Sequence, residues 1–301
     1  MLKPDQLKAG DRIRIVSPAG FIPEEKVLPA VDLLEQQGFE VILGDHVFTR
    51  RFQFAGTDEQ RLSDLQRAFD DPQCKAVLCS RGGYGAIRIA DKIDFTGFKK
   101  NPKWLVGFSD ITILHTLLQK AGFCSVHGAM PAFYFKEGQP SRSFLELMNF
   151  LQNGKAETTL PAHGRNRSGN ARGELTGGNL SLLYCVMGTP LEPDTRGKIL
   201  FIEDISEYLY NIDRMMHSLK LAGKLKNLGA LVVGGFTDTK DNDSPFGQSV
   251  EEIMLNVVSE YSYPVCFGLP SGHDEINLPL VLGAEYTLEM NENQVSFRMV
   301  P

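Results

Sequence analysis

The sequence predicts an α/β protein, with an N-terminal parallel-sheet domain followed by a smaller C-terminal α/β domain. Three observations predict it. Short apolar runs alternate with helical patterns through about residue 135, which implies a parallel sheet covered by helices on both faces. Residues 136–171 are rich in Gly, Ser, Asn, Arg and Pro, apart from one helical stretch, and read as a connection. The apolar pattern resumes at about 172 and ends in two runs that read as antiparallel strands. The expected division is therefore 1–135, a linker over 136–171, and 172–301, and a chain of 301 residues is long enough for two domains.

Arg12–Ser17 reads as the first strand, closed by the loop Ser17-Pro-Ala-Gly20. A helix is expected over about 24–37, stopped by Gly38. Phe39–Leu43 is the second strand, and Thr57-Asp-Glu-Gln60 has the form of a capping box that opens a helix through about Phe69. Lys75–Cys79 is the third strand, followed by the glycine-rich turn Arg81-Gly-Gly-Tyr-Gly85 and a helix through about Asp91. The apolar run Trp104–Phe108 precedes Ser109-Asp110, after which Ile111, Leu114, Leu117 and Leu118 fall on one helical face. Phe123–His127 is a further short strand, and Ser143–Leu151 the helix inside the connection. In the second half, strands are expected at Lys198–Ile202, Ala230–Gly234 and Val265–Gly268, and helices over the apolar stretch to Met187, Tyr210–Leu221 and Ser249–Tyr261. Strands near Val281–Leu288 and Gln294–Val300 close the chain.

Composition narrows the function. A net charge of −6 and the lack of a dense Lys/Arg run argue against a nucleic-acid partner. No stretch reaches 18 uninterrupted apolar residues, so no membrane span is expected. Met1–Arg12 lacks the apolar core of a signal peptide, and the five scattered cysteines read as buried, reduced thiols; both point to the cytoplasm. The six histidines show no metal-ligand spacing, and Gly-Gly-Tyr-Gly is not the dinucleotide fingerprint, so neither metal nor cofactor is expected.

Ligands of parallel sheets gather at the carboxyl ends of strands. Ser17-Pro18, Arg81–Gly85 and Ser109-Asp110 all lie at such ends. Ser109 sits where a strand turns into a helix, a position suited to a nucleophile whose attack creates an oxyanion. The same position suits a helix cap, and the stretch alone does not separate the two readings. A serine nucleophile needs a base, for which histidine with its pKa of about 6.5 is fitted, and the base needs a carboxylate to orient it. His273 and His127 both end strands, whereas His115 lies off the serine's face. Glu203, Asp204 and Glu207 all follow an apolar strand, and local chemistry does not choose among them.

Seven motifs in order choose. Leu7-Lys-Ala-Gly-Asp11, Arg81-Gly-Gly-Tyr-Gly85, Gly107-Phe-Ser-Asp-Ile-Thr112, His127-Gly-Ala-Met130, Gly177-Gly-Asn-Leu180, Ile202-Glu-Asp-Ile205 with Tyr210-Asn-Ile-Asp-Arg214, and Gly272-His273 resemble the serine-type LD-carboxypeptidases over essentially the whole chain. That family includes muramoyl-tetrapeptide carboxypeptidases and the microcin C immunity hydrolases. The resemblance implies a Rossmann or flavodoxin-like first domain, an active site at the domain interface and a homodimer. It maps the nucleophile, orienting carboxylate and base onto Ser109, Glu203 and His273. Backbone N–H groups of Asp110, Gly82 and Gly83 would then hold the oxyanion. Arg81 and Tyr84 are candidates for the substrate carboxylate, since arginine pairs with carboxylates bidentately; a surface ion pair is the plainer reading of Arg81. Asn179 could bond peptide groups or simply shape a turn.

The implied reaction is release of the terminal D-alanine from murein tetrapeptides during peptidoglycan recycling. Two alternatives stand beside it. One is cleavage of aminoacyl-adenylate analogues, as in the microcin C immunity relatives; these need an aromatic platform, and the one tryptophan here, Trp104, falls in a core strand. The other is a non-catalytic muropeptide-binding protein, against which the intact Ser, Glu and His argue.

Overall fold

The computed structural model describes residues Met1–Val300 and divides into two compact units, Met1–Lys155 with Leu278–Leu280, and Ala156–Asn277 with the remainder of the chain. In the first unit the order is β1 (Arg12–Val16), α1 (Leu28–Gln36), β2 (Glu40–Leu43), α2 (Asp58–Asp70), β3 (Cys74–Cys79), α3 (Thr96–Lys100), β4 (Trp104–Gly107), α4 (Thr112–Lys120) and β5 (Ser125–His127). A small hairpin, β6 (Phe135–Lys136) with β7 (Gln139–Pro140), and α5 (Arg142–Asn153) follow. Strands β1 to β5 pair in the order β2-β1-β3-β4-β5, each pairing parallel. This is the flavodoxin-like order, with its switch point between β1 and β3. The strands read as apolar runs because both faces are covered: Ile13, Ile15, Ala76, Leu78, Leu105 and Val106 have no exposure.

The second unit contains β8 (Glu157–Pro161), β9 (Gly169–Asn179), α6 (Leu180–Cys185), β10 (Ile199–Ile205), α7 (Leu209–Leu221), β11 (Ala230–Thr237), α8 (Val250–Val257) and β12 (Val265–Cys266). The chain continues through β13 (Leu280–Leu282), which takes the place beside β5 in the first sheet, and ends with β14 (Glu285–Met290) and β15 (Gln294–Met299). The second sheet has the order β12-β11-β10-β9-β14-β15-β8. Its two halves differ. The last five residues of β9 run parallel to β10, while its first six run antiparallel to β14. Helices α7 and α8 bury Ile212, Met216, Ile253 and Met254 against Leu200, Ile202, Leu231 and Val233.

The capping box at Thr57–Gln60 is complete, with Gln60 N–H donating to Thr57 Oγ1 at 3.2 Å and Thr57 N–H to Gln60 Oε1 at 2.9 Å. Three expectations are corrected. The helix expected after Gly85 is instead two short 3-10 turns, Ala86–Arg88 and Ala90–Lys92; glycine brings no capping side chain, and the first N–H is taken by Asp110. Within 136–171, α5 packs Phe144, Leu147 and Leu151 in the first unit, while β8 pairs with β15 in the second. Cys185 is exposed, because α6 turns Leu180 and Leu183 inward and its next turn outward; the other four cysteines are buried, and all five are free thiols. No helix among the described residues is long and apolar enough to cross a membrane.

His115 of α4 is fully buried, bonded through Nε2 to the Gly107 carbonyl at 2.9 Å and through Nδ1 to Ser125 Oγ at 2.8 Å. A carbonyl only accepts, so Nε2 carries the proton and Nδ1 accepts from the serine hydroxyl. Burial holds the imidazole down to about 4, opposed by the Gly107 bond. The folded state thus binds this proton less tightly than the unfolded chain. The associated stability is complete above about pH 6.5 and is lost as pH falls through 4, a contribution of about 3 kcal/mol. Urea unfolding across this range is expected to show a shallower acid loss for His115→Gln than for wild type; identical slopes would count against the assignment.

Candidate active site

In the first unit, Phe108 is extended at φ −152°, and the next residue, Ser109, takes φ +63° as it opens the 3-10 turn Ser109–Ile111 that leads into α4. A left-handed serine at a strand-to-helix corner is strained and is found where the surroundings fix it. Two glycines do so. A Cβ on Gly107 would lie 2.9 Å from the Ile111 side chain, and one on Gly82 would lie 2.8 Å from Ser109 Cβ. Only a bare backbone can approach the serine this closely. Ser109 is half-buried, and the Arg81–Gly85 turn lies over it through Gly82.

That turn spans the switch point. Gly20 N–H, in the loop after β1, donates to the Gly82 carbonyl at 3.1 Å, and the Ser17 and Ser80 hydroxyls meet at 2.6 Å. Arg81 is exposed, with one guanidinium nitrogen donating to the Phe21 carbonyl at 3.0 Å. Tyr84 is exposed beside Phe54, their rings 5.8 Å apart. Asp110 is buried, and its Oδ2 accepts from Ala86 N–H at 2.8 Å. Burial pushes its carboxyl up to about 6, against the opposing pull of the Ala86 and Gly85 amides and the Arg61 guanidinium.

In the second unit, β10 and β11 run in register until Ile202 and Val233; the pairing then shifts so that Asp204 faces Phe236. The extra residue makes a bulge at Gly234-Gly235. A Cβ on Gly234 would overlap the Ser271 carbonyl, so the glycine admits the 271–274 loop to the strand end. Gly235 N–H bonds the Ser271 carbonyl at 3.1 Å, Thr237 Oγ1 bonds the His273 carbonyl at 2.6 Å, and Asn277 Oδ1 accepts from Gly272 N–H at 2.9 Å. His273 is thereby held over Glu203. Glu203 Oε2 lies 2.7 Å from His273 Nδ1 and accepts from the His273 backbone N–H at 3.1 Å. Glu203 has no exposure and the His273 side chain 14 %. A carboxylate only accepts, so Nδ1 carries the proton and Nε2 is the nitrogen that can take another.

The three carboxylates left open by local chemistry have different surroundings. Neighbouring strand residues point to opposite faces, and Asp204 accordingly receives Asn179 Nδ2 at 2.9 Å, Ser181 N–H at 2.9 Å, Ser181 Oγ at 2.7 Å and Ile205 N–H at 2.9 Å. Burial still holds Asp204 above the ordinary carboxylate range. Glu207 binds Ser181 and Asn211. Asn179 is buried, capping α6 at Leu182 N–H (3.2 Å) while its amide holds Asp204. His127 is buried beside Phe108, ring centroids 5.8 Å apart. Among the described residues no group of three or more His, Cys, Asp or Glu is placed to hold a metal ion.

Residues 13–128 match the family described as LD-carboxypeptidase N-terminal domain, and residues 172–288 the one described as LD-carboxypeptidase C-terminal domain. The chain belongs to the LD-carboxypeptidase family. It is thus a hydrolase of the carboxypeptidase type, as the resemblance read from its motifs implies. A Bacillus subtilis relative of this LD-carboxypeptidase, described as "Probable murein peptide carboxypeptidase", is 37% identical over 96% of the chain and 92% of its own length. The crystal structure of a muramoyltetrapeptide carboxypeptidase from Oxalobacter formigenes superposes with a TM-score of 0.88 at 32% identity, covering 96% of this chain and 99% of that one. The microcin C7 self immunity protein MccF, in complex with aspartyl sulfamoyl adenosine, shares the fold with a TM-score of 0.86 at 21% identity, covering 99% and 98%.

Sequence reasoning left one determinant of this LD-carboxypeptidase's geometry unread. Gly272 has φ +101°, and a Cβ there would lie 2.6 Å from Glu203 Oε2. Gly272→Ala is expected to displace the carboxylate from His273, seen as loss of the downfield Nδ1 proton resonance with the fold retained. Persistence of that resonance would show that the loop adjusts. Asp110 supplies a second expectation. Its folded-state carboxyl holds the proton more tightly than the unfolded one, so the associated stability is full below about pH 4 and is lost as pH rises through 6. Asp110→Asn should therefore match wild type near pH 4 and exceed it by up to roughly 3 kcal/mol above pH 7. A difference that does not change with pH would sink this assignment.

Proposed function

We propose that the protein is a serine-type LD-carboxypeptidase that releases the terminal D-alanine of murein tetrapeptides, with Ser109 as nucleophile, His273 as base and Glu203 as orienting carboxylate. The observation that carries the reading is the buried Glu203–His273 pair, whose tautomer fits a general base at Nε2. The left-handed Ser109 under a bare glycine turn supports it from the other unit. Ser109 belongs to the first unit and the pair to the second, so the reading requires the two units to present hydroxyl and imidazole to each other.

In this reading His273 Nε2 takes the Ser109 proton as Oγ attacks the carbonyl carbon before D-alanine. Backbone N–H groups of Asp110, Gly82 and Gly83 hold the oxyanion. Collapse of the adduct breaks the C–N bond, and the imidazolium gives its proton to the leaving amine. Water then repeats the sequence on the acyl-enzyme. The exposed guanidinium of Arg81, with Tyr84 of the same turn, takes the terminal carboxylate, whereas Asn179 acts indirectly by fixing Asp204 at the end of β10. The names carried by the Bacillus and Oxalobacter relatives support the murein peptide as substrate. Five free thiols suit a reducing compartment and hence recycling in the cytoplasm. The family resemblance supports a homodimer.

The test is hydrolysis of L-Ala-γ-D-Glu-meso-diaminopimelate-D-Ala with chelator present. Wild type should release D-alanine, and Ser109→Ala should lower kcat on the order of 10⁴-fold or more. Undiminished release by Ser109→Ala would remove the nucleophile. Release by neither protein, with an aminoacyl sulfamoyl nucleoside cleaved instead, would replace the substrate but keep the serine mechanism.

A further inference from the structure

Two buried charged groups of the first unit have no part in the proton transfers above, and both end on one peptide bond. Arg61 Nη1 donates to the Gly85 carbonyl at 2.8 Å, and Asp110 Oδ2 accepts from the Ala86 N–H at 2.8 Å. These are the oxygen and the N–H of the same peptide plane. We propose that Arg61 and Asp110 are positioning residues that clamp the Gly85–Ala86 peptide from both ends and so hold the glycine turn 82–85 against Ser109. The inference rests on the proposed role of that turn in oxyanion binding.

The guanidinium is held through both of its Nη nitrogens. Arg61 is 1 % exposed, ion-paired to Asp58 and stacked over the Phe54 ring at 5.1 Å. Asp58 is held in turn by Arg88 through two nitrogens. Arg61 Nη1 also donates to the Pro18 carbonyl at 2.8 Å, so one side chain ties α2, the loop after β1 and the turn after β3. Gly85 has φ +141°, and a Cβ there would overlap the guanidinium, so the clamped peptide needs glycine on its N-terminal side. The acceptor at the other end comes from the residue after Ser109. The Asp110–Ala86 bond thus ties the end of the glycine turn to the segment that carries Ser109. At the far end of the turn, Gly82 is fixed by Gly20 N–H and by contact with Ser109. The turn is therefore pinned at both ends, leaving Gly83, at φ +109°, and Tyr84 between them. An amide turned away from the oxyanion contributes nothing to the transition state, which is why the orientation of this segment bears on kcat rather than on substrate affinity.

Steady-state kinetics on the murein tetrapeptide and amide hydrogen exchange at residues 82–86 test this with wild type, Asp110→Ala, Asp110→Asn and Arg61→Lys. Asp110→Ala is expected to lose about 10²-fold in kcat with little change in KM, and to speed exchange of the Ala86 amide. Asparagine keeps an oxygen for that amide and should recover most of the kcat and the slow exchange. Arg61→Lys, assayed as protein that unfolds cooperatively, should lose kcat with KM held. Equal damage from alanine and asparagine, or an unchanged Ala86 amide in Asp110→Ala, would overturn the clamp; a wild-type kcat in Arg61→Lys would remove Arg61 from it. Exchange needs no turnover. Wild type that releases no D-alanine while Asp110→Ala frees the Ala86 amide would defeat the reaction and leave the clamp standing. Turnover with unchanged exchange would defeat the clamp alone.

Discussion

A carboxylate wholly removed from water must be paired, and the second unit is arranged around the pairing of Glu203 with His273. The bulge at Gly234-Gly235 opens the strand end, Gly272 lets the loop backbone pass over the carboxylate, and Thr237 and Asn277 hold the loop once it is there. Asp204 next to it is satisfied by four donors on the opposite face. Without those donors a second buried carboxylate, one residue from Glu203, would stand unpaired away from water.

The first unit meets a different constraint with the same means. Its problem is steric: a serine must stand in a backbone conformation that disfavours side chains, beneath a turn that has to touch it. The β1/β3 switch point supplies the crevice, and glycines at 82, 83 and 85 supply the approach. In both units the chemistry-bearing side chain is fixed by backbone brought close to it, and in both the closeness depends on particular glycines.

Much of the fold was legible because parallel strands buried on both faces are plain apolar runs, and Thr57–Gln60 or Gly38 mark helix ends chemically. Strand β9 was harder to read. Gly169–Asn179 is polar and glycine-rich, and its strand character comes from neighbours on both sides rather than from its own residues. For the site, strand ends and residue types narrowed the candidates, but the choice among Glu203, Asp204 and Glu207 depends on which face each presents and on a loop arriving from seventy positions later. Arg61 did leave a signal. It falls at one-face spacing with Leu65 and Ala68 on α2, and a charge on an apolar stripe demands a buried partner. The identity of that partner, the peptide after Gly85, is a tertiary fact that no local pattern carries.

The path of the chain after His273 has a consequence for inheritance. Residues 278–280 belong to the first unit, and β13 lies beside β5 in its sheet. The first unit is therefore encoded in two separated pieces, one of them only a few codons long and close to the end of the chain. A fragment ending at Lys155 would leave β5 as a bare edge, open to pairing with other chains. Recombination between relatives at a single junction would join a sheet to a closing strand selected in another background. Exchanging the two units as modules therefore takes three crossovers, after residues 155, 277 and 280.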